Sequence, residues 1–565
     1  MPRSKPSSRV RKHGTRASRA ICLFGLLSAC GGATVSGLRF HNHAPITAID
    51  DERAIEKPLE RERSLRTAQI DSLLHLPLDH ALAMPGPQRA RDINALEEVP
   101  RSSWFAPRIG AHALTPQDVA RGPSGQRPGV ALEQARFKVW KVKSAGTAPG
   151  LMVEDPLGAR YLLKVDPGTP EAESGAEVVV QRLLWAAGYH VPRNEVVYLD
   201  RDQLELDAEA EIDRGAVDHV LAKAPRDDSG RARVLLSELL PGEPVGGFPM
   251  TGVRPDDRND RIPHEHRRSL RALELFFAWL GQTDVKEANT LDLWIPIAER
   301  SDQGYVRHHQ LDFGKSLGVW GLTGRERDGF APHFDYANAT SSLFAFGLER
   351  WPWEGLRAPE LRGVGRFEAR RFDPAHYSPA NPYAPFLYTD RFDRYWAAKI
   401  IARFSAEHLR AAITAARYSD EAAPAYLLQT LIERQRRVVH YGFAEVSTLD
   451  DFAVQDGSAG RVSLCARDLA IAVGFTPWQR ARYAVRVYDW DGTRLATRSS
   501  LANGSLQAKS KDGKICADDL PIGESHEGYT MIAYEAQHAP PFIVVAHLAR
   551  EPGSGRMRLV GVERR

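Results

Sequence analysis

Thr283-Asp284-Val285-Lys286-Glu287-Ala288-Asn289 and, after a gap, Leu311-Asp312-Phe313-Gly314 are the two stretches around which the chain is organised. The first stretch has an Asp, a Lys two positions later and an Asn five positions later, and the second ends a hydrophobic run. Between them, residues 291–297 and 304–311 predict a hairpin. Each motif alone also suits a simpler role, because Asp and Asn cap helices and Asp-Phe-Gly suits a turn. Their order and spacing together favour one shared site.

These residue types fit the chemistry of phosphoryl transfer, which depends mainly on positioning and electrostatic stabilisation. Asp284 would orient or deprotonate an acceptor hydroxyl, and Lys286 would neutralise charge on the transferred group. Asn289 and Asp312 carry the oxygen ligands that the hard cation Mg²⁺ prefers. The two stretches therefore predict a site for a metal and a phosphate chain.

The composition describes a large globular protein. The chain has 565 residues, of which 43% are hydrophobic and 26% are charged. This length and composition allow a large core and two or three domains. The net charge of +3, with arginine-rich segments that are dispersed or terminal, gives no indication of a nucleic-acid partner.

The N-terminus has the form of an export signal. Residues 3–19 are basic, residues 21–29 are apolar, and Leu27-Ser28-Ala29-Cys30 precedes Gly31. The apolar run is too short for a membrane span, which needs about 20 residues. The stretch resembles a bacterial lipoprotein precursor, which implies a signal peptide over 1–29 and acylation of Cys30. Because Gly31 is not Asp, the resemblance further implies the outer membrane of the cell envelope. A basic tail with an incidental Cys30 is the alternative.

Residues 30–130 are weakly patterned and predict a tether followed by a packing arm, with a helix near 52–76. Trp104 and Phe105 are too apolar for a free linker, so we expect them to anchor the arm in a core. Residues 444–565 show short alternating strands, which predict a small β-sandwich accessory domain. Cys465 and Cys516 permit one disulfide in an exported chain, and two separate free thiols are the alternative.

Residues 131–243 predict a small antiparallel sheet whose first turn contains Gly146 and Gly150. A glycine turn lets backbone N–H groups approach phosphate oxygens, although an ordinary hairpin explains it too. Lys164 lies in an otherwise apolar strand and needs a partner. Glu177, on a predicted helix over 171–187, supplies one; Glu173 is a rival partner, and a Lys164 side chain that reaches water is the alternative. Residues 244–443 predict a helical lobe. Its central buried helix is predicted over 267–280.

Taken in order, Lys164, Glu177, Asp284, Lys286, Asn289 and Asp312-Phe313-Gly314 resemble the active-site set of the protein-kinase-like superfamily, including the HipA-like kinases. The resemblance covers roughly residues 131–440. It implies an α+β fold with two lobes, 131–243 and 244–443, followed by the sandwich. It also implies ATP and Mg²⁺ as cofactors, with the main chain of Glu238 and Leu239 at the adenine ring. Residues 99–105, 254–257, 264–268 and 289–292 are in addition similar to a group of uncharacterised bacterial exported lipoproteins.

Two departures from the kinase pattern keep the function open. Gln282-Thr283 stands where His-Arg is usual, and no Ala-Pro-Glu follows Asp-Phe-Gly. Export would also place the site outside the cytoplasm, where ATP is scarce. We therefore expect a membrane-anchored phosphotransferase acting on an unknown acceptor; the alternatives are a catalytically silent kinase-fold binding module and an envelope scaffold lipoprotein.

Overall fold

Mixed helices and sheets make up the computed structural model, in agreement with the predicted α+β class. The structure describes residues 37–61, 88–123, 131–143, 148–166, 168–210, 212–297, 300–319, 336–346, 359–457, 460–495, 505–508, 510–538 and 540–565, with the single residues 70, 75, 78, 82 and 348. The predicted signal peptide, Cys30 and Gly146 lie outside these residues. Within the described chain, no helix has the length and apolar character needed to cross a bilayer.

The strands are distributed over the whole chain. They are β1 Ile55–Glu56, β2 Phe137–Val142, β3 Gly150–Glu154, β4 Arg160–Lys164, β5 Asn194–Leu199, β6 Leu204–Leu206, β7 Ala232–Glu238, β8 Glu243–Pro244, β9 Thr290–Ile297, β10 Arg300–Gln310, β11 Leu449–Asp456, β12 Arg461–Asp468, β13 Arg482–Asp489, β14 Ser505–Gln507, β15 Lys514–Pro521, β16 Thr530–Ala536, β17 Ile543–Arg550 and β18 Met557–Arg564.

Among the described residues, the α-helices with defined bounds are concentrated in the middle of the chain. They are α1 Pro116–Arg121, α2 Ala172–Ala187, α3 Arg214–Leu221, α4 Arg268–Arg271, α5 Leu273–Leu280, α6 Tyr336–Phe344, α7 Ala384–Leu387, α8 Arg391–Ile401, α9 Ala406–Ala415, α10 Ala422–Phe443 and α11 Leu469–Ala472.

A six-stranded sheet with the order β5-β7-β4-β3-β2-β6 carries Lys164 at the end of β4. All its neighbouring strands are antiparallel except β2 and β6. The sheet shares one core with α3, whereas α2 belongs to a larger core with α5, α8, α9 and α10. Helix α2 ends at Gly188, where φ is +137° and a Cβ would lie 2.3 Å from the Phe105 ring. Only glycine allows the arm to pack so closely on this helix end.

The predicted hairpin forms from β9 and β10, which pair antiparallel with an irregularity between Arg300 and Gly304. Strands β1 and β8 extend it to four strands. The helix predicted near 52–76 is wrong at its start, because Ile55 pairs with Gly304 in β1. Pro58 follows closely, and a residue before proline is held in extended conformations that break a helix.

The arm is anchored as predicted. Trp104 is buried, stacks on His308 with ring centroids 3.6 Å apart, and lies 4.4 Å from the Arg267 guanidinium. Phe105 is buried beside Tyr189 and Trp396. The arm is therefore part of the core and not a loose linker.

The C-terminal region has two antiparallel sheets, β11-β12-β15 and β14-β13-β16-β17-β18, which bury one shared set of apolar side chains. Cys465 and Cys516 face each other across β12 and β15 and form a disulfide. The predicted pairing is therefore confirmed, and separate thiols are excluded.

A buried ionic network holds these sheets against the helices. Arg564 lies 3.0 Å from Glu97 of the arm and 3.3 Å from Asp450 of β11. Asp450 also accepts hydrogen bonds from Lys399, at 2.8 Å, and from the Tyr395 hydroxyl, at 3.0 Å, both on α8. Arg89 of the arm also pairs with Glu97, so the arm, the helices and the sheets all contribute charged groups to one network.

We expect the disulfide to stabilise the C-terminal sheets. It spans 51 residues of sequence, and constraint of an unfolded loop of this length contributes about 2–4 kcal/mol. The double variant Cys465→Ser/Cys516→Ser should lose that free energy of unfolding in urea denaturation. Reductant should lower the midpoint of the wild type but not that of the variant; an equal response of both would contradict the prediction.

We expect Arg564→Ala to lower the free energy of unfolding by about 3–5 kcal/mol, because it removes the buried guanidinium that contacts both Glu97 and Asp450. Among the described residues, Glu97 would keep only Arg89 and Asp450 only Lys399 as ion-pair partners. Arg565→Ala, one residue away and in a partly exposed pair with Glu563, is the matched control and should change stability by less than about 1 kcal/mol. Circular dichroism melts would measure both, and equal melting of the two variants would refute a structural role for the network.

Candidate functional site

The predicted site residues from both halves of the chain meet in one cavity of about 110 Å³. Lys164, Glu177, Asp284, Lys286 and Asp312 all line it. The other lining residues are Lys143, Ala148, Val165, Asp166, Glu173, Ser174, Leu235 and Lys315.

Lys164 and Glu177 form the predicted ion pair, with Lys164 Nζ 3.0 Å from Glu177 Oε1. Lys164 Nζ also lies 3.9 Å from Asp312 Oδ1. Burial alone would lower the Lys164 pKa, but Glu177 and Asp312 outweigh burial and raise it above its ordinary value. Lys164 is therefore an ammonium group at neutral pH. It joins β4, α2 and the Asp-Phe-Gly stretch at one point.

The second oxygen of Glu177 extends this junction. Glu177 Oε2 accepts hydrogen bonds from Asn194 Nδ2, at 3.1 Å, and from the Phe313 main-chain N–H, at 3.0 Å. The carboxylate is only 4% exposed, so each of its oxygens has protein donors instead of water. Asn194, the first residue of β5, was not predicted, since nothing in its local sequence marks it.

Asp312 follows β10 in a left-handed conformation, with φ of +56°. Asp adopts this conformation at lower cost than most side chains, and such strained positions occur often at functional sites. Its side chain is 53% exposed. The main-chain oxygen accepts a hydrogen bond from Gln282 Nε2 at 3.1 Å. Gln282, one of the two departures from the kinase pattern, thus ties the first motif to the second.

Asp284 is buried between two lysines. Lys286 Nζ lies 2.8 Å and Lys315 Nζ 3.3 Å from its Oδ2. Burial acts to raise the Asp284 pKa, but the two ammonium groups outweigh it and hold the pKa below the ordinary value. Asp284 is therefore ionised at neutral pH. A carboxylate with a lowered pKa is a weak base, so Asp284 is better suited to orient a hydroxyl than to take its proton. Lys315 directly follows Asp312-Phe313-Gly314, but no local sequence pattern indicates its contact with Asp284, which forms only when the chain returns to the first motif.

Asn289 ends the short 3₁₀ helix Glu287–Asn289 and is buried. Its Nδ2 donates to the Asp284 main-chain oxygen at 2.8 Å, so its side-chain oxygen is the atom left to act as a ligand. Asn289 is not among the described residues that line the cavity. Among the described residues, no group of three His, Cys, Asp or Glu side chains is placed to hold a metal.

The predicted nucleotide contacts are less well supported. Gly150 begins β3 beneath the cavity, where a Cβ would lie 2.5 Å from the Leu163 oxygen, so its glycine serves sheet packing. Neither Glu238 nor Leu239 is among the described lining residues. Their N–H groups donate to the Arg193 and Arg160 oxygens, both at 2.8 Å. These two donors serve the sheet and are not free for an adenine ring.

Comparison of the chain with protein-family models, with curated proteins and with solved structures finds no match.

Glu173 is the titratable group of the cavity whose charge changes near neutral pH. Burial, together with Asp166 and Asp312, raises its pKa from 4.5 to about 7. The folded protein therefore binds a proton at Glu173 more tightly than the unfolded chain does. The stability that this proton contributes is fully present below pH 4.5 and is lost as the pH rises through about 7.

We expect Glu173→Gln to remove this loss. Between pH 4.5 and 7, the free energy of unfolding of the wild type should fall relative to that of the variant by roughly 1–3 kcal/mol. Urea denaturation at several pH values would measure the difference. A constant difference across the range would show that Glu173 titrates normally.

Proposed function

We propose that the protein is a phosphotransferase of the protein-kinase-like type, with two lobes, that uses a nucleoside triphosphate and Mg²⁺. One observation carries the proposal: Lys164 Nζ lies 3.0 Å from Glu177 and 3.9 Å from Asp312. Lys164 and Glu177 come from a strand and the helix that follows it, 13 residues apart, whereas Asp312 comes from a loop much later in the chain. A half-buried ammonium group held by two carboxylates at the edge of a cavity suits binding of phosphate oxygens.

The side chains divide into those that hold phosphate and those that position the acceptor. Lys164 and Lys286 would neutralise the phosphate chain, and Asp284 would accept a hydrogen bond from the acceptor hydroxyl. The oxygens of Asp312 and Asn289 would hold Mg²⁺, which typically takes one or two protein ligands beside substrate phosphates and water. The half-exposed Asp312 carboxylate fits that donor set, and Asn289, which is not among the described residues lining the cavity, would have to move toward the metal. When bound, the metal would neutralise charge on the phosphates.

A catalytically silent binding module is the second candidate, and one observation favours it. Asp284 is paired with both Lys286 and Lys315, so an acceptor hydroxyl must compete with two ammonium groups for its oxygens. Binding without transfer would leave this pairing intact.

For the cellular setting we propose a bacterial envelope lipoprotein, anchored through acylated Cys30 in the outer membrane. The lipobox-like Leu27-Ser28-Ala29-Cys30 and the disulfide between Cys465 and Cys516 support export, because disulfides persist in oxidising compartments. The C-terminal sheets would then form a β-sandwich accessory domain. If the cavity binds no nucleotide, an envelope scaffold is the remaining alternative.

We expect ATP with Mg²⁺ to stabilise the purified protein by about 2.7 kcal/mol at 100 times the dissociation constant. Lys164→Met should abolish this stabilisation in thermal melts, because it removes the half-buried phosphate-binding cation. Mass spectrometry after incubation should show the gain of one phosphate or one nucleotide on the protein or on an added acceptor.

Asp312→Ala should lose the mass gain, whereas Asp302→Ala, on the exposed part of β10, should keep it. Stabilisation by ATP without any mass gain under many acceptors would support the silent module. An unchanged melting temperature with every nucleotide would reject both candidates.

A further inference from the structure

Lys143 is a cation of the cavity that the sequence motifs did not identify. It follows β2, lines the cavity, and donates from Nζ to the Ala148 main-chain oxygen at 2.8 Å. Lys164, Lys286 and Lys315 each have a carboxylate oxygen within 4 Å. Across the described residues, no carboxylate oxygen lies that close to Lys143 Nζ.

Lys143 is therefore in an unfavourable position in the protein without a ligand. Burial, with the like charge of Lys164, holds its pKa below the ordinary value. A partly desolvated cation without a contacting counter-ion costs free energy, which an anionic ligand would offset. Because an ammonium group has three donors, Lys143 can keep its bond to Ala148 and still contact an anion.

The residues expected to contact a nucleobase provide less recognition than the lysines that would face the phosphates. The N–H groups of Glu238 and Leu239 are used within the sheet. The cavity of about 110 Å³ is also smaller than pockets that enclose whole ligands, which measure about 300–1,000 Å³. Groups of phosphate size match it better.

We propose that the cavity recognises its ligand by the polyphosphate chain and not by the base, with Lys143 as an additional phosphate contact. The inference rests on the proposed function and defines its ligand class. That class comprises phosphoanhydrides: nucleoside triphosphates irrespective of base, and inorganic triphosphate. Four ammonium groups border the cavity, and lysine binds phosphate as a point charge without strict geometry.

Isothermal titration calorimetry with Mg²⁺ would test the ligand class on the full chain after signal removal. We expect GTP and inorganic triphosphate to bind within about tenfold of ATP, a difference of about 1.4 kcal/mol. Adenosine should show no measurable binding. If ATP binds and inorganic triphosphate binds more than about 100-fold more weakly, the base provides the affinity and the inference is wrong, although the proposed function stands.

Lys143→Gln would test the additional contact. It should weaken ATP and inorganic triphosphate by the same factor of about ten, or about 1.4 kcal/mol, and Lys143→Arg should retain most of the affinity. Lys141→Gln is the matched control, because Lys141 is exposed on β2, two residues before Lys143. This variant should bind as the wild type does. Wild-type affinity in a folded Lys143→Gln variant would overturn the role of Lys143. Absence of binding by every phosphate compound to the wild type would instead reject the proposed function itself.

Discussion

The carboxylate of Glu177 is the constraint on which the site depends. A buried carboxylate is tolerated only when its oxygens are matched by donors or cations. One oxygen of Glu177 takes Lys164, and the other takes Asn194 and the Phe313 N–H. Each partner belongs to a different segment, so satisfying this one group fixes α2, β4, β5 and the Asp-Phe-Gly stretch relative to one another. The cavity exists because those four segments must meet.

The Lys164–Glu177 ion pair could be predicted from the sequence because a charged residue in apolar surroundings needs a partner. Lys164 within an apolar strand required a partner, and of the two candidates on the next helix, Glu177 and Glu173, the structure pairs it with Glu177. The hairpin β9–β10 was predictable because strand alternation on both sides of a turn is a local signal. The disulfide was one of two outcomes expected from the sequence, because only Cys465 and Cys516 lie beyond the first thirty residues and they can form only one pair with each other.

The remainder could not be predicted because it depends on long-range contacts. Asn194 acquires its role only when β5 approaches α2, and Lys315 only when the chain after Asp-Phe-Gly returns to Asp284. The kinase resemblance implied that the main chain of Glu238 and Leu239 would contact an adenine ring. The sheet uses these N–H groups instead, because β7 is paired on both sides. The C-terminal sheets were expected to form an accessory domain. Arg564 and Asp450 of these sheets nevertheless form ion pairs with Glu97 of the arm and Lys399 of α8. The division into domains therefore stays a prediction.

The charges of the cavity also bear on whether it can accept a polyanion at all. Five carboxyl groups line it, and unmatched carboxylates would repel phosphate. Glu177 and Asp284 are paired with lysines, and Asp166 accepts from Ser174 and lies 3.7 Å from Arg233. Glu173, with a pKa of about 7, is largely neutral in mildly acidic solution. Asp312 is then the carboxylate least compensated by protein, being 3.9 Å from Lys164 and half exposed. A polyanion could approach Asp312 only if a cation lay between them and offset the repulsion. A phosphate chain that carries a bound metal ion would bring such a cation.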